Sequence, residues 1–107
     1  MAEVIWTPGA LEDIDAIASY IALDSSARAK QQVMRILSAE ELLVHYPGSG
    51  RMVPEMQSKV YREVILPPYR IIYHFAPKGS VAAILAVIHS KRQLPTSGVR
   101  KRRGSER

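Results

Sequence analysis

The chain reads as a small α+β protein in the order β-α-α-β-β-β, a helical hairpin packed on a small curved antiparallel sheet. Three observations predict this. Apolar residues recur at three- and four-residue spacing through the first half. They change to strand-like patterning after the Pro47-Gly48-Ser49-Gly50 break. The connections are only a few residues long, so sequence neighbours must pack as hairpins.

Each element has its own signals. Glu3-Val4-Ile5-Trp6 is short, β-branched and aromatic, and stops at Thr7-Pro8, as a strand does. Thr7 is suited to cap a helix, with Pro8 at the first helical position where its missing N–H costs nothing. Leu11, Ile14, Ile17, Ala18 and Ile21 then form a helical stripe, so the first helix spans about 8–23. Asp24-Ser25-Ser26 interrupts it and caps a second helix. That helix carries Ala29, Val33, Ile36, Leu37, Leu43 and Val44 near one face, with Glu40 the polar exception. Residues 60–66 and 69–75 alternate around Pro67-Pro68, and 81–89 is almost wholly apolar, the pattern of a strand covered on both faces. These three strands form an antiparallel meander. The position of the first strand in the sheet is not readable from its sequence.

The 107 residues fit one domain, expected over 1–94, with a basic tail over 95–107 that has too few apolar side chains to order. With 47% apolar residues the domain can build a core. The absence of cysteine excludes a disulfide scaffold, a thiol nucleophile and cysteine-based metal sites. The longest apolar run, 81–88, is too short to cross a bilayer, and the N-terminus has no signal-peptide pattern, so a cytoplasmic protein without membrane contact is expected. His45, His74 and His89 have no ligand spacing, so no metal site is expected, and no cofactor motif is present.

Charge is unevenly spread. Residues 1–50 hold three basic and seven acidic side chains, a net −4. Residues 51–90 hold five and two, a net +3, and residues 91–107 hold seven and one, a net +6. Such asymmetry points to a nucleic-acid or acidic-protein partner, or to a plain solubilising tail. The candidate functional set follows the basic half. Arg62 and Arg70 lie on two strands joined by a tight turn and are expected to be close. Arg51 lies in the loop before the sheet, and His89, Lys91 and Arg92 close the last strand. Tyr61, Tyr69 and Tyr73 interleave with them. Arginine binds phosphate or carboxylate in a fork, tyrosine offers a stacking face, and a near-neutral histidine moves protons. The plain alternative is that these side chains fill the solvated face of a sheet. His74 reads as a strand-face residue.

A family resemblance sharpens this. It rests on Val4-Ile5-Trp6-Thr7-Pro8, Leu11-Glu12-Asp13-Ile14, Ile17-Ala18-Ser19-Tyr20-Ile21-Ala22, Pro47, Gly50-Arg51, Val53-Pro54-Glu55, Arg62-Glu63, Tyr69-Arg70-Ile71-Ile72-Tyr73, and Val87-Ile88-His89 with Arg92. In this ordered series the chain resembles the RelE/ParE toxin superfamily of bacterial toxin–antitoxin systems, more on its ParE side. The resemblance implies a growth-arresting toxin neutralised by a cognate antitoxin, whose helix or strand would lie on an apolar groove. ParE-like members inhibit DNA gyrase; RelE-like members cut mRNA on the ribosome.

For the nuclease reading, the resemblance implies catalytic Arg70, His89 and Arg92, with Arg51, Arg62, Tyr69 and Lys91 holding target or RNA. The RelE lysines on the strand before Tyr69-Arg70 are missing, since that strand reads Tyr61-Arg62-Glu63-Val64-Ile65-Leu66. Glu63 there would repel phosphate. The RelE tyrosine beyond the last strand has no match in Gln93-Leu94-Pro95. These gaps favour gyrase. Arg70 also has a structural reading, as an anchor to a helix acid such as Asp13 or Asp15, and Gly50-Arg51 with Val53-Pro54-Glu55 reads equally as a folding signature.

Overall fold

A computed structural model describes residues 1–104. The element order is β1 (Glu3–Trp6), α1 (Pro8–Ala22), α2 (Ser26–Leu37), α3 (Ala39–His45), β2 (Arg51–Met52), β3 (Tyr61–Leu66), β4 (Tyr69–Phe75), β5 (Val81–His89) and α4 (Thr96–Gly104). The expected α+β arrangement is present, with three additions.

The helical layer forms as its caps dictate. The Thr7 side chain accepts from the Ala10 N–H at 3.3 Å and donates to the Ile84 carbonyl at 2.8 Å. One hydroxyl thus starts α1 and ties it to β5. Ser25 caps α2 through the Arg28 N–H at 3.2 Å. The second predicted helix is two, α2 and α3, broken at Ser38, whose hydroxyl bonds back to the Arg35 carbonyl. Such back-bonding bends helices. The bend carries Glu40 under β1, where its carboxylate accepts from the Trp6 indole at 2.7 Å. The polar exception on the apolar stripe has that partner.

The sheet has five strands in the order β1-β5-β4-β3-β2. β1 pairs parallel with β5 from Glu3↔Val81 to Trp6↔Ile84, and the other pairings are antiparallel. The sequence predicts loop at Arg51, which instead lies in the short β2 opposite Glu63. β4 and β5 pair from Tyr69↔His89 to Phe75↔Ala82 with one irregularity beside Ile72/Tyr73, where Leu85 is the extra residue. A bulge of this kind curves the sheet.

Two cores follow from the alternation. On the helical face Ile14, Ile36 and Leu43 pack on Ile71, Tyr73 and Ile84. On the opposite face Val53, Met56, Leu94 and Val99 pack on Tyr61, Ile72 and Leu85. Each such buried aliphatic side chain contributes about 1.5–3 kcal/mol. The second core corrects the expectation of a structureless tail. Thr96–Gly104 is a helix, and residues 105–107 of that segment lie outside the described residues. The physical reason is the uncovered apolar face of the sheet, which needs a second layer; Leu94 and Val99 pack there and Arg102 bonds Asp13. No helix among the described residues is long and apolar enough to cross a membrane.

Candidate functional site

The sheet divides the candidate residues between its two faces. The Pro67-Pro68 turn sets Leu66 opposite Tyr69 and Ile65 opposite Arg70. Arg70 therefore shares a face with Ile65 and Glu63, while Arg62, opposite Tyr73, points to the helical side. The expected closeness of Arg62 and Arg70 does not occur, because strand parity separates them.

On the outer face Arg70 is the centre of an ion network. Its Nε donates to Glu63 Oε1 at 2.6 Å, and Nη1 and Nη2 donate to the two oxygens of Glu55 at 2.8 Å each. Arg51 Nε donates to the other Glu63 oxygen at 2.5 Å. The Glu63 side chain is fully buried and that of Arg70 is 8% exposed. A lone buried carboxylate would be costly, and here two arginines flank it. The hydrogen bonds from Arg70 hold the Glu55 carboxyl down at about 2, below its ordinary 4.5. Glu55 in turn holds the Arg70 guanidinium charged, raising its already high pKa. Of the two helix acids suggested as partners for Arg70, Asp13 is engaged elsewhere. Asp13 caps the Val87 N–H at 3.0 Å and pairs with Arg102 of α4 at 2.7 Å.

Arg62 donates to the Gly50 carbonyl at 2.8 Å. Beside it the Tyr73 hydroxyl donates to the Pro47 carbonyl at 2.7 Å and accepts from the Gly50 N–H at 2.9 Å. Burial raises the pKa of that phenol, so it remains a donor. Arg62 and Tyr73 thus clamp the loop that enters β2.

On the helical face, at the end of β5, lies a different group. His89 packs edge-on to the buried Tyr69, ring centres 5.9 Å apart. The Lys91 N–H donates to His89 Nδ1 at 3.2 Å, so the neutral ring carries its proton on Nε2. His89, Tyr69 and Arg92 line a cavity of about 490 Å³ with Ala16, Ile17 and Tyr20 of α1. Tyr20 and Leu23 are exposed on the same helix end. Lys91 and Arg92 are exposed.

Of the proposed catalytic set, His89 and Arg92 share a cavity and Arg70 lies on the far side of the sheet. Of the proposed binding set, Arg51 stands with Arg70, Arg62 is tied to a loop carbonyl, Tyr69 is buried and Lys91 is free on the surface. Glu55 and Glu63 are the partners that the sequence reading missed, although hairpin parity puts Glu63 on the face of Arg70. Among the described residues no three His, Cys, Asp or Glu side chains could hold a metal ion.

Comparison with known proteins agrees with this architecture. Residues 4–94 match the model of the family described as ParE toxin of type II toxin–antitoxin system, parDE. The chain is 34% identical over 92 residues to toxin RelE2 of Caulobacter vibrioides, covering 86% of this chain and 99% of that protein. It is 37% identical over 92 residues to the Sinorhizobium fredii protein Y4kP, a toxin by its name, covering 84% and 90%. A solved structure described as the chromosomal ParDE system of P. aeruginosa superposes with a TM-score of 0.68 at 25% identity, covering 83% of this chain and 96% of that one. Extent of match and shared fold together give the conclusion that this chain belongs to the ParE toxin family of type II toxin–antitoxin systems, and has a cognate antitoxin as its partner.

Proposed function

We propose that the protein arrests growth by binding DNA gyrase, and that it does so without chemistry of its own. One observation carries this reading: all three guanidinium nitrogens of Arg70 are engaged by Glu55 and Glu63. Cleavage of RNA by an internal hydroxyl needs cations free to meet a developing phosphorane, beside a proton donor. Arg70 is neutralised by two carboxylates and the sheet stands between it and His89. Glu63 is the anchor of the network, which accounts for a carboxylate on the strand where the RelE-like pattern has lysines.

The antitoxin on this reading docks at the cavity between α1 and the end of β5, where Ile17 and the exposed Tyr20 offer apolar surface. Arg92 and Lys91 beside it suit acidic side chains of the antitoxin. The protein would act in the cytoplasm, where its target is.

A second reading has one observation in its favour. His89 and Arg92 line one cavity, a histidine beside a cation, the two group types that a ribosome-dependent endoribonuclease would use. The relatives' names include both RelE and ParE, and names do not decide a target. A supercoiling assay with purified gyrase separates the readings. Antitoxin-reversible inhibition supports gyrase as the target. Folded, growth-arresting protein that leaves gyrase active, yet cleaves mRNA on ribosomes, overturns it.

A further inference from the structure

We infer that α4 and the turn before it form a binding surface for the phosphodiester backbone of a nucleic-acid duplex, a role in addition to the antitoxin contact proposed for Lys91 and Arg92. The family match ends at residue 94 and α4 begins at Thr96, so the helix lies beyond the matched domain. The segment is nonetheless fixed to that domain. Leu94 and Val99 are buried. Arg102 bonds Asp13 at 2.7 Å and the Leu85 carbonyl at 3.2 Å. Arg100 donates to the Met56 carbonyl at 3.1 Å and lies over the Tyr61 ring at 5.1 Å.

These contacts leave a defined outward set. Lys91, Arg92, Lys101 and Arg103 are exposed, and none makes an ion pair within the described residues. Residues 91–104 contain no acidic side chain. Arg92 and Arg102 line one cavity, which places the turn next to α4.

The kind of polyanion follows from what this surface lacks. A protein partner needs an apolar or aromatic anchor at the centre of the contact. The apolar residues of this segment, Leu94 and Val99, both face inward. A single strand needs aromatic faces for its bases. The aromatic under α4, Tyr61, is buried beneath Arg100, and the exposed Tyr20 lies on α1 in the cavity on the other side of Arg92. What remains is charge on and beside a docked helix, which suits a phosphate backbone and reads no sequence.

The test is fluorescence anisotropy with the full chain and a labelled random-sequence DNA duplex of about 20 base pairs, from about 50 to 200 mM salt. With four phosphates neutralised, log K against log salt should fall with a slope of about −3.6, and Lys101→Glu with Arg103→Glu should flatten it by about half. The control pair Lys30→Glu with Lys78→Glu, of equal charge change at exposed sites away from α4, should alter affinity far less. Four results overturn the inference. They are no binding at the lowest salt, equal weakening by the control pair, tighter binding of a single strand of the same length, and tighter binding of a polyglutamate peptide. The last would assign the surface to an acidic protein. The exposed substitutions leave Leu94, Val99 and Arg102 in place, and circular dichroism of each variant verifies the fold.

Discussion

Arg70 and His89 stand one rung apart on neighbouring strands and face opposite sides of the sheet. Their cross-strand partners are Ile88 and Tyr69, so consecutive side chains carry them to different layers. Arg70 belongs to an ion network and His89 to a cavity under α1. Any account that needs both at one phosphate must first move a strand by one residue, which would turn every core side chain outward.

Substituting His89→Ala should therefore leave growth arrest unchanged. The lost ring contact with Tyr69 costs about 0.5–1.5 kcal/mol, which a urea titration will register. Loss of arrest by a variant that still melts cooperatively would assign proton transfer to His89.

Arg70→Ala should be far more damaging to stability. It strips the buried Glu63 and the half-exposed Glu55 of their shared cation, and breaking a buried pair in this way costs about 3–5 kcal/mol. Arg70→Lys should recover little of it, since one ammonium cannot reproduce the forked bonds to two carboxylates. The check is the denaturation midpoint of each variant at neutral pH, with the wild-type slope retained.

The pH dependence has a definite sign. Glu55 titrates at about 2 when folded, against 4.5 ordinarily. A depressed carboxyl stabilises the fold fully above 4.5, and that stabilisation fades as pH falls through the window toward about 2. The stability gap between wild type and Glu55→Gln should be constant near neutrality and shrink steadily across that window. Partial exposure of Glu55 keeps the effect small and sensitive to salt. A gap that widens on acidification would contradict the assignment.

Two glycines of one loop should behave oppositely. A Cβ on Gly50 would stand 2.6 Å from the Tyr73 hydroxyl and 2.7 Å from the Glu63 carbonyl, whereas one on Gly48 meets nothing within 4 Å. Gly50→Ala should cost about 1–3 kcal/mol by overpacking, and Gly48→Ala should be neutral or slightly stabilising. Parallel thermal melts decide it.

Asp13→Asn should loosen α4. The carboxylate bonds both the Val87 N–H and the Arg102 guanidinium. Amide exchange across 96–104 should accelerate several-fold, while β3 and β4 stay protected. Unchanged exchange would mean that Val99 and Leu94 alone hold the helix.

Much of the fold was legible because its signals are local. Thr7-Pro8, Ser25 and Pro67-Pro68 each mark a boundary through chemistry within a few residues, and the strands at 61–66, 69–75 and 81–89 are regular alternations or apolar runs. What could not be read depends on distant pairings. Nothing in Glu3–Trp6 names Val81–Ile84 as its partner, and nothing in the basic tail announces Asp13. The site was half legible. Candidate cations were found by type, but their roles depend on which face each strand presents. Counting parity through the Pro67-Pro68 turn would have paired Glu63 with Arg70. The bidentate contact with Glu55 needed the loop's path in space.

The parallel pairing of β1 with β5 has a consequence for when the toxin comes into being. Glu3 is made 78 residues before its partner Val81. At about 5–20 residues per second, the first strand waits on the order of 4–16 s for its neighbour. Closing so long a loop is an entropic burden borne before the sheet returns anything. A chain arrested at Ser80 should remain open to protease. Until β5 follows, the five-stranded sheet lacks the pairing that joins β1 to it, an interval in which an antitoxin made alongside can already be waiting.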